Sequence, residues 1–143
     1  MGIKEFRFKN WDGFDMLVKE IKDWKPRGCK SEKDYEDSLY KRLHSVLGDI
    51  NIKKQYPIKE YKIDLMVDDR FLIEMKYNFK TKNESQRLYG QLINYMNWTD
   101  VSSINPLSYE PIIVLICGEC EPSMKKDLKQ YCKNHGITLI FKK

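Results

Sequence analysis

The sequence predicts an α/β domain, a mixed central β-sheet flanked by helices on both sides, in the order α-α-β-β-β-α-β-α-β. Three observations carry this. Two apolar stripes at helical spacing occupy the region before Gly48. Between Ile52 and Tyr77 the apolar period drops from about 3.6 to 2. Beyond that, helical spacing alternates with short β-branched runs, which closes a layered α/β arrangement.

The first helix is expected over Trp11 to Trp24, where Phe14, Leu17, Val18, Ile21 and Trp24 share one face. Pro26, Arg27 and Gly28 break it. Ser31, with Asp34 three residues on, has the form of an N-cap with an acidic first turn. From there Tyr35, Leu39, Leu43, Val46 and Leu47 make a second stripe that ends at Gly48. Ile52 to Ile58 reads as a strand, with Pro57 marking its end or an edge position. Tyr61 to Val67 and Phe71 to Tyr77 are two more, joined by Asp68-Asp69-Arg70. A lysine-rich loop, Asn78 to Asn83, leads to a helix from Glu84 to Trp98 with Leu88, Leu92, Tyr95 and Met96 inward. After a loop containing Pro106, Pro111 to Cys117 is a buried strand. Met124 to Asn134 is the last helix and Ile137 to Phe141 the last strand.

The chain has 143 residues, the size of one domain that buries a single core without disulfide or metal staples. Residues 1–143 are therefore read as one domain, with 1–28 as an N-terminal helical extension. Hydrophobic residues make up 41% and charged residues 33%, which excludes a disordered chain. No run approaches the roughly 20 apolar residues of a membrane span, and Met1 to Phe8 lacks a signal-peptide core. A cytoplasmic protein with no membrane partner is expected. The net charge of +5 and pI near 8.9 favour an anionic partner, nucleic acid first. The four cysteines, Cys29, Cys117, Cys120 and Cys132, read as free thiols in a reducing compartment. Cys117 ends an apolar run and behaves there as a small hydrophobe.

The hairpin from Tyr61 to Lys76 is the informative segment. Alternation along each strand separates two rows. One is Ile63, Leu65, Val67 and Phe71, Ile73, Met75, all apolar; the other is Lys62, Asp64, Met66 and Leu72, Glu74, Lys76. A two-residue loop would pair Asp64 with Ile73 and mix the rows. A three-residue loop, Asp68-Asp69-Arg70, pairs Asp64 with Glu74 and keeps the apolar row continuous. Exposing large apolar side chains costs roughly 1.5–3 kcal/mol each, so burial selects the three-residue loop. Two carboxylates then face each other with Cβ atoms about 4.5–5.5 Å apart, an arrangement that destabilises a sheet unless something cationic lies between them. Lys62 and Lys76 offer part of that charge. A divalent cation with oxygen ligands fits the pair better.

These residues resemble the PD-(D/E)XK nuclease superfamily, the restriction-endonuclease-like fold, whose motif is an Asp on one strand and Glu-X-Lys on the next: here Asp64 and Glu74-Met75-Lys76. The proline that precedes the Asp in that motif is replaced by Ile63. Glu36, in Tyr-Glu-Asp-Ser-Leu-Tyr, stands where the family carries an acidic residue on a preceding helix. Gln91-Leu-Ile-Asn-Tyr95 is similar to the Gln-X-X-X-Tyr helix of RecB-like members, and residues four apart share a helix face. The resemblance covers Glu36 to Tyr95. It implies a Mg²⁺-dependent DNA endonuclease, with Mn²⁺ as a substitute. Asp64, Glu74, the Met75 carbonyl and Glu36 would hold the metal, Lys76 would act on the attacking water, and Gln91 would position the metal–water shell or the phosphate. Lys80, Lys82 and Tyr95 are candidate nucleic-acid contacts. Some RecB-like nucleases hold an iron–sulfur cluster through one cysteine before these motifs and three after. Cys132 falls inside the last helix here, so a cluster is not expected. Little chain remains outside the core for target recognition, which favours structure-selective or partner-directed cleavage over sequence-specific restriction. Two alternatives stay open: a dimeric Holliday-junction resolvase, and a non-catalytic nucleic-acid-binding module on the same framework.

Overall fold

The computed structural model describes residues 13–102 and 112–143. Trp11, Pro106 and Pro111 of the sequence reading lie outside them. The elements are α1 (Phe14–Asp23), α2 (Glu32–Leu47), β1 (Ile52–Ile58), β2 (Tyr61–Val67), β3 (Phe71–Phe79), α3 (Lys82–Ser102), β4 (Ile112–Cys120), α4 (Pro122–His135) and β5 (Thr138–Lys142). This is the predicted order. The five strands lie side by side in chain order. β1, β2 and β3 pair antiparallel, and β3, β4 and β5 pair parallel, with α3 and α4 as the crossovers.

Helices cover both faces. On one, Leu17, Ile21 and Trp24 of α1 and Tyr35, Leu39, Leu43 and Leu47 of α2 pack on Leu65, Val67, Phe71, Ile73, Met75, Ile113, Leu115 and Ile140. On the other, Leu88, Leu92 and Tyr95 of α3 and Leu128 and Cys132 of α4 pack on Ile58, Met66, Leu72, Val114 and Ile116. Leu17, Ile21 and Trp24 of the N-terminal segment thus contribute to this core. No described helix is long and apolar enough to cross a membrane.

Local chemistry explains the element ends. Ser31 Oγ accepts the Asp34 N–H at 3.1 Å, the cap expected for α2. α3 starts earlier than its apolar stripe implies because Thr81 and Glu84 form a capping box: Thr81 Oγ1 accepts the Glu84 N–H at 3.2 Å, and Glu84 Oε1 accepts the Thr81 N–H at 3.1 Å. The lysine-rich loop is correspondingly short. β3 runs on to Phe79, and its register against β4 shifts between Tyr77 and Phe79. There Asn78 is left-handed, and its Oδ1 accepts the Glu119 N–H at 2.9 Å beside Gly118, where a Cβ would overlap that same oxygen.

The β2–β3 hairpin has the three-residue loop and pairs Leu65 with Ile73, Met66 with Leu72 and Val67 with Phe71. Continued by one step, that register sets Asp64 opposite Glu74. The ladder stops short of that pair. One feature of the predicted rows is corrected: Ile63 packs with Ile58, Met66 and Leu72 on the α3–α4 side, whereas Leu65 packs on the α1–α2 side. The cause lies across the strand pair. Gln55 of β1, which the β1–β2 register sets opposite Asp64, is left-handed (φ 51°), and both strands change face there.

Candidate active site

A cleft of about 520 Å³ opens where the sheet ladder breaks. Its wall carries the carboxylates of Glu32, Glu60, Asp64, Glu74 and Glu84 and the cations Lys62, Lys76 and Arg87. Gln55, Tyr61 and Gln91 complete it. Glu32 comes from the start of α2, Gln55 from β1, and Glu84, Arg87 and Gln91 from the first turns of α3.

Among the described residues, the buried polar or charged side chains are Glu36, Asp64, Glu74, Lys76 and Gln91. Burying such groups is costly unless they are partnered, and most of them are. Gln55 Nε2 donates to Glu36 Oε1 and to Asp64 Oδ1, the latter at 3.1 Å. Asp64 Oδ2 accepts the Met75 N–H at 2.7 Å. Glu74 Oε2 accepts from Lys76 Nζ at 3.0 Å, and Glu74 Oε1 from the Tyr95 hydroxyl at 3.1 Å. Gln91 Oε1 is the exception: it is buried and has no partner.

Electrostatics disfavours charge at the centre. Burial, reinforced by the neighbouring Glu74 carboxylate and opposed by the Met75 N–H, pushes the Asp64 carboxyl up to about 8. Burial also raises Glu74, against the pull of Lys76 and the Tyr95 hydroxyl. Tyr95 is driven well above its ordinary range, first by burial and then by the adjacent Glu74. A cation at this point would take the place of the proton that burial favours on Asp64.

The donor set fits a hard divalent cation: two buried carboxylates side by side, with Lys76, among the described residues, as their one close cation, and on the same cleft wall Gln91, whose amide oxygen is orphaned. Mg²⁺ sites commonly use one or two carboxylates and complete the shell with water and substrate phosphate. Glu36 reaches Asp64 through Gln55. Met75 presents its N–H to Asp64 while its side chain fills the α1–α2 core. No described group of three His, Cys, Asp or Glu is placed to hold a metal by itself. The cysteines are all free, with Cys117 in the core on one face of the sheet and Cys132 in the core on the other.

The structure therefore brings Glu36, Asp64, Glu74, Lys76, Gln91 and Tyr95 together. Lys80 and Lys82 stand apart from the cleft wall. Lys80 forms an ion pair with Glu119 beside a second cavity, and Lys82 is exposed in the first turn of α3. Several cleft residues escape the sequence reading, among them Glu32, Arg87 and Gln55. Glu32 lies one turn before Glu36, and Arg87 one turn before Gln91, so helical spacing alone could have found both. Gln55 leaves no such trace in Lys53-Lys54-Gln55.

Comparison of this chain with family models, with curated proteins and with solved structures finds no match.

Proposed function

We propose that this cleft hydrolyses phosphodiester bonds in DNA with the help of Mg²⁺, Mn²⁺ serving as a substitute, on a framework of the restriction-endonuclease-like type. The observation that carries the reading is the identity of the buried polar groups: Glu36, Asp64, Glu74, Lys76 and Gln91, the acids, lysine and glutamine that such chemistry needs, are the ones withdrawn from water together. A bound divalent cation would polarise the scissile phosphate and lower the pKa of a coordinated water. Asp64 and Glu74 would hold it, with the Met75 carbonyl, and with Glu36 directly or through water. Lys76, fixed against Glu74, orients the attacking water and offsets charge growing on the phosphorane. Gln91 presents Oε1 to the water shell or the phosphate. Tyr95 keeps Glu74 in place by its hydroxyl. Structure-selective or partner-directed endonucleolytic cleavage is the form of action we propose for it.

The test is nicking of supercoiled DNA with Mg²⁺. Glu74→Ala and Lys76→Ala are each expected to abolish it while circular dichroism stays that of the wild type. Equal cleavage by all three proteins would refute the proposal and identify a contaminant. A second reading, a nucleic-acid-binding module without catalysis, draws on the fact that every oxygen of Asp64 and Glu74 already accepts a hydrogen bond from the chain. Tight DNA binding in EDTA, with no metal supporting cleavage, would decide for it.

A further inference from the structure

The cleft cannot by itself hold a polyanion. Its five carboxylates outnumber its three cations, and even one bound divalent cation would only bring the wall to neutrality. The chain nevertheless carries a net charge of +5, so its surplus of cations lies elsewhere. Many lysines elsewhere are neutralised locally: Lys19, Lys33, Lys53, Lys54 and Lys80 each pair with a carboxylate. Helix α4 differs. Lys125, Lys126, Lys129 and Lys133, with Pro122 and Gln130, line one shallow surface groove that contains no carboxylate. Among the described residues, none of these four lysines has an acidic partner within 4.0 Å. Asp127, on the same helix, acts on Tyr89 of α3, and the Glu121 cap is engaged by the Ser123 and Met124 N–H groups.

The stripe is also ordered. Lys125 Nζ lies 4.6 Å and Lys129 Nζ 5.7 Å from the centroid of the Phe141 ring, so two lysine stems are held against β5 rather than free in water. Lys125, Lys129 and Lys133 succeed one another at four-residue intervals. At 1.5 Å rise per residue that is about 6 Å, comparable with the through-space separation of successive phosphates along one strand. α4 touches α3 through Tyr131 and Tyr89, whose ring centroids are 4.6 Å apart.

We infer that the lysine stripe of α4 is a duplex-DNA backbone clamp, which holds the substrate that the acidic cleft cuts. The inference rests on the nuclease reading for its purpose but not for its test. Binding to a 30-base-pair duplex is measured by fluorescence anisotropy in EDTA, with NaCl varied from 50 to 200 mM. The proteins are the full wild-type chain and the triple variant Lys125→Ala, Lys129→Ala, Lys133→Ala. Each phosphate contact contributes about 0.9 to the slope of log affinity against log salt, so the variant should lose about 2.7 of that slope and at least tenfold in affinity at 100 mM. Lys129→Gln alone should lose about 0.9, which covers the case in which the triple variant folds poorly. Hydrolysis of bis(p-nitrophenyl) phosphate with Mn²⁺, a diester too small to reach α4, should be unchanged in both variants. Wild-type slope and affinity in both variants would overturn the clamp. So would a stripe-dependent attachment to phosphatidylserine vesicles with no effect on DNA. If the wild type binds DNA through the stripe yet hydrolyses neither the small diester nor DNA, the nuclease reading fails and the clamp stands.

Discussion

The two faces of the sheet are filled by different means. Beneath α1 and α2 the cluster packed on the sheet is apolar, from Leu17 to Leu47 on the helices and from Leu65 to Met75 on the strands, with the buried Glu36 carboxylate directed to Gln55 of β1. Beneath α3 the apolar packing is interrupted at Asp64 and Glu74, and buried oxygen atoms are satisfied one by one by Gln55, Met75, Lys76 and Tyr95. The first face supplies stability. The second gives some of it up, because ionised carboxylates side by side in a buried site are unfavourable until a cation joins them. The difference teaches where to expect trade-offs: substitutions on the apolar face should damage the fold, and those at the interruption should damage activity while sparing it or even firming it.

The largest effect should separate adjacent residues of β3. Ile73 is fully buried on the apolar face, so Ile73→Ala should cost about 2–5 kcal/mol of stability in urea unfolding. Glu74→Gln, one residue along, should leave the midpoint near that of the wild type and remove Mg²⁺-dependent nicking. If Glu74→Gln unfolds the protein as severely as Ile73→Ala, the two faces are not different in kind.

A smaller effect concerns pH. The Asp64 carboxyl stays protonated in the folded protein up to about pH 8, whereas in the unfolded chain it ionises near its ordinary value of 3.8. The folded state therefore binds the proton more tightly. Its contribution is full below about pH 4 and is lost as pH rises toward 8. In metal-free solution, Tm should fall across that window by the equivalent of a few kcal/mol at most, and Asp64→Asn should flatten the profile. Mg²⁺ should restore wild-type Tm at the upper end of the window and leave the Asn variant unmoved. A wild-type Tm that rises with pH between 5 and 8 would contradict the assignment.

Smaller again is the role of Gln55, whose amide separates Glu36 from Asp64. Gln55→Ala should lower the metal-free stability by about 1 kcal/mol, the worth of a typical hydrogen bond, and enlarge the Tm gain on adding Mg²⁺. An unchanged Mg²⁺ response would show that the amide does not stand between the acids.

Much of this was legible in the sequence because it follows from local spacing. The α2 stripe and its Ser31 cap, the parity of the hairpin and the Gln91–Tyr95 interval each depend on residues close together along the chain. The features that were not legible depend on backbone geometry or on distant partners. Gln55 reaches the acids because its backbone is left-handed, an unusual state for a non-glycine residue. That same irregularity carries Ile63 to the other face, where simple alternation would not put it. Lys80 looks like a phosphate contact until the chain returns with Glu119 to pair with it. Arg87 and Glu32 lay within reach of spacing rules but became visible as cleft residues only once the motif residues were placed in space.

The central claim is that Asp64 and Glu74 form a cation site at the interruption of the sheet, and titration calorimetry with Mn²⁺ tests it most directly. At about pH 6.5, in two buffers of different ionisation enthalpy, the wild type should bind one cation and release close to one proton, because the Asp64 carboxyl must ionise to accept the metal. Asp64→Asn and Glu74→Gln should each remove the binding heat. Saturable binding of the same strength in wild type and both variants, or none in any of them, would contradict the account.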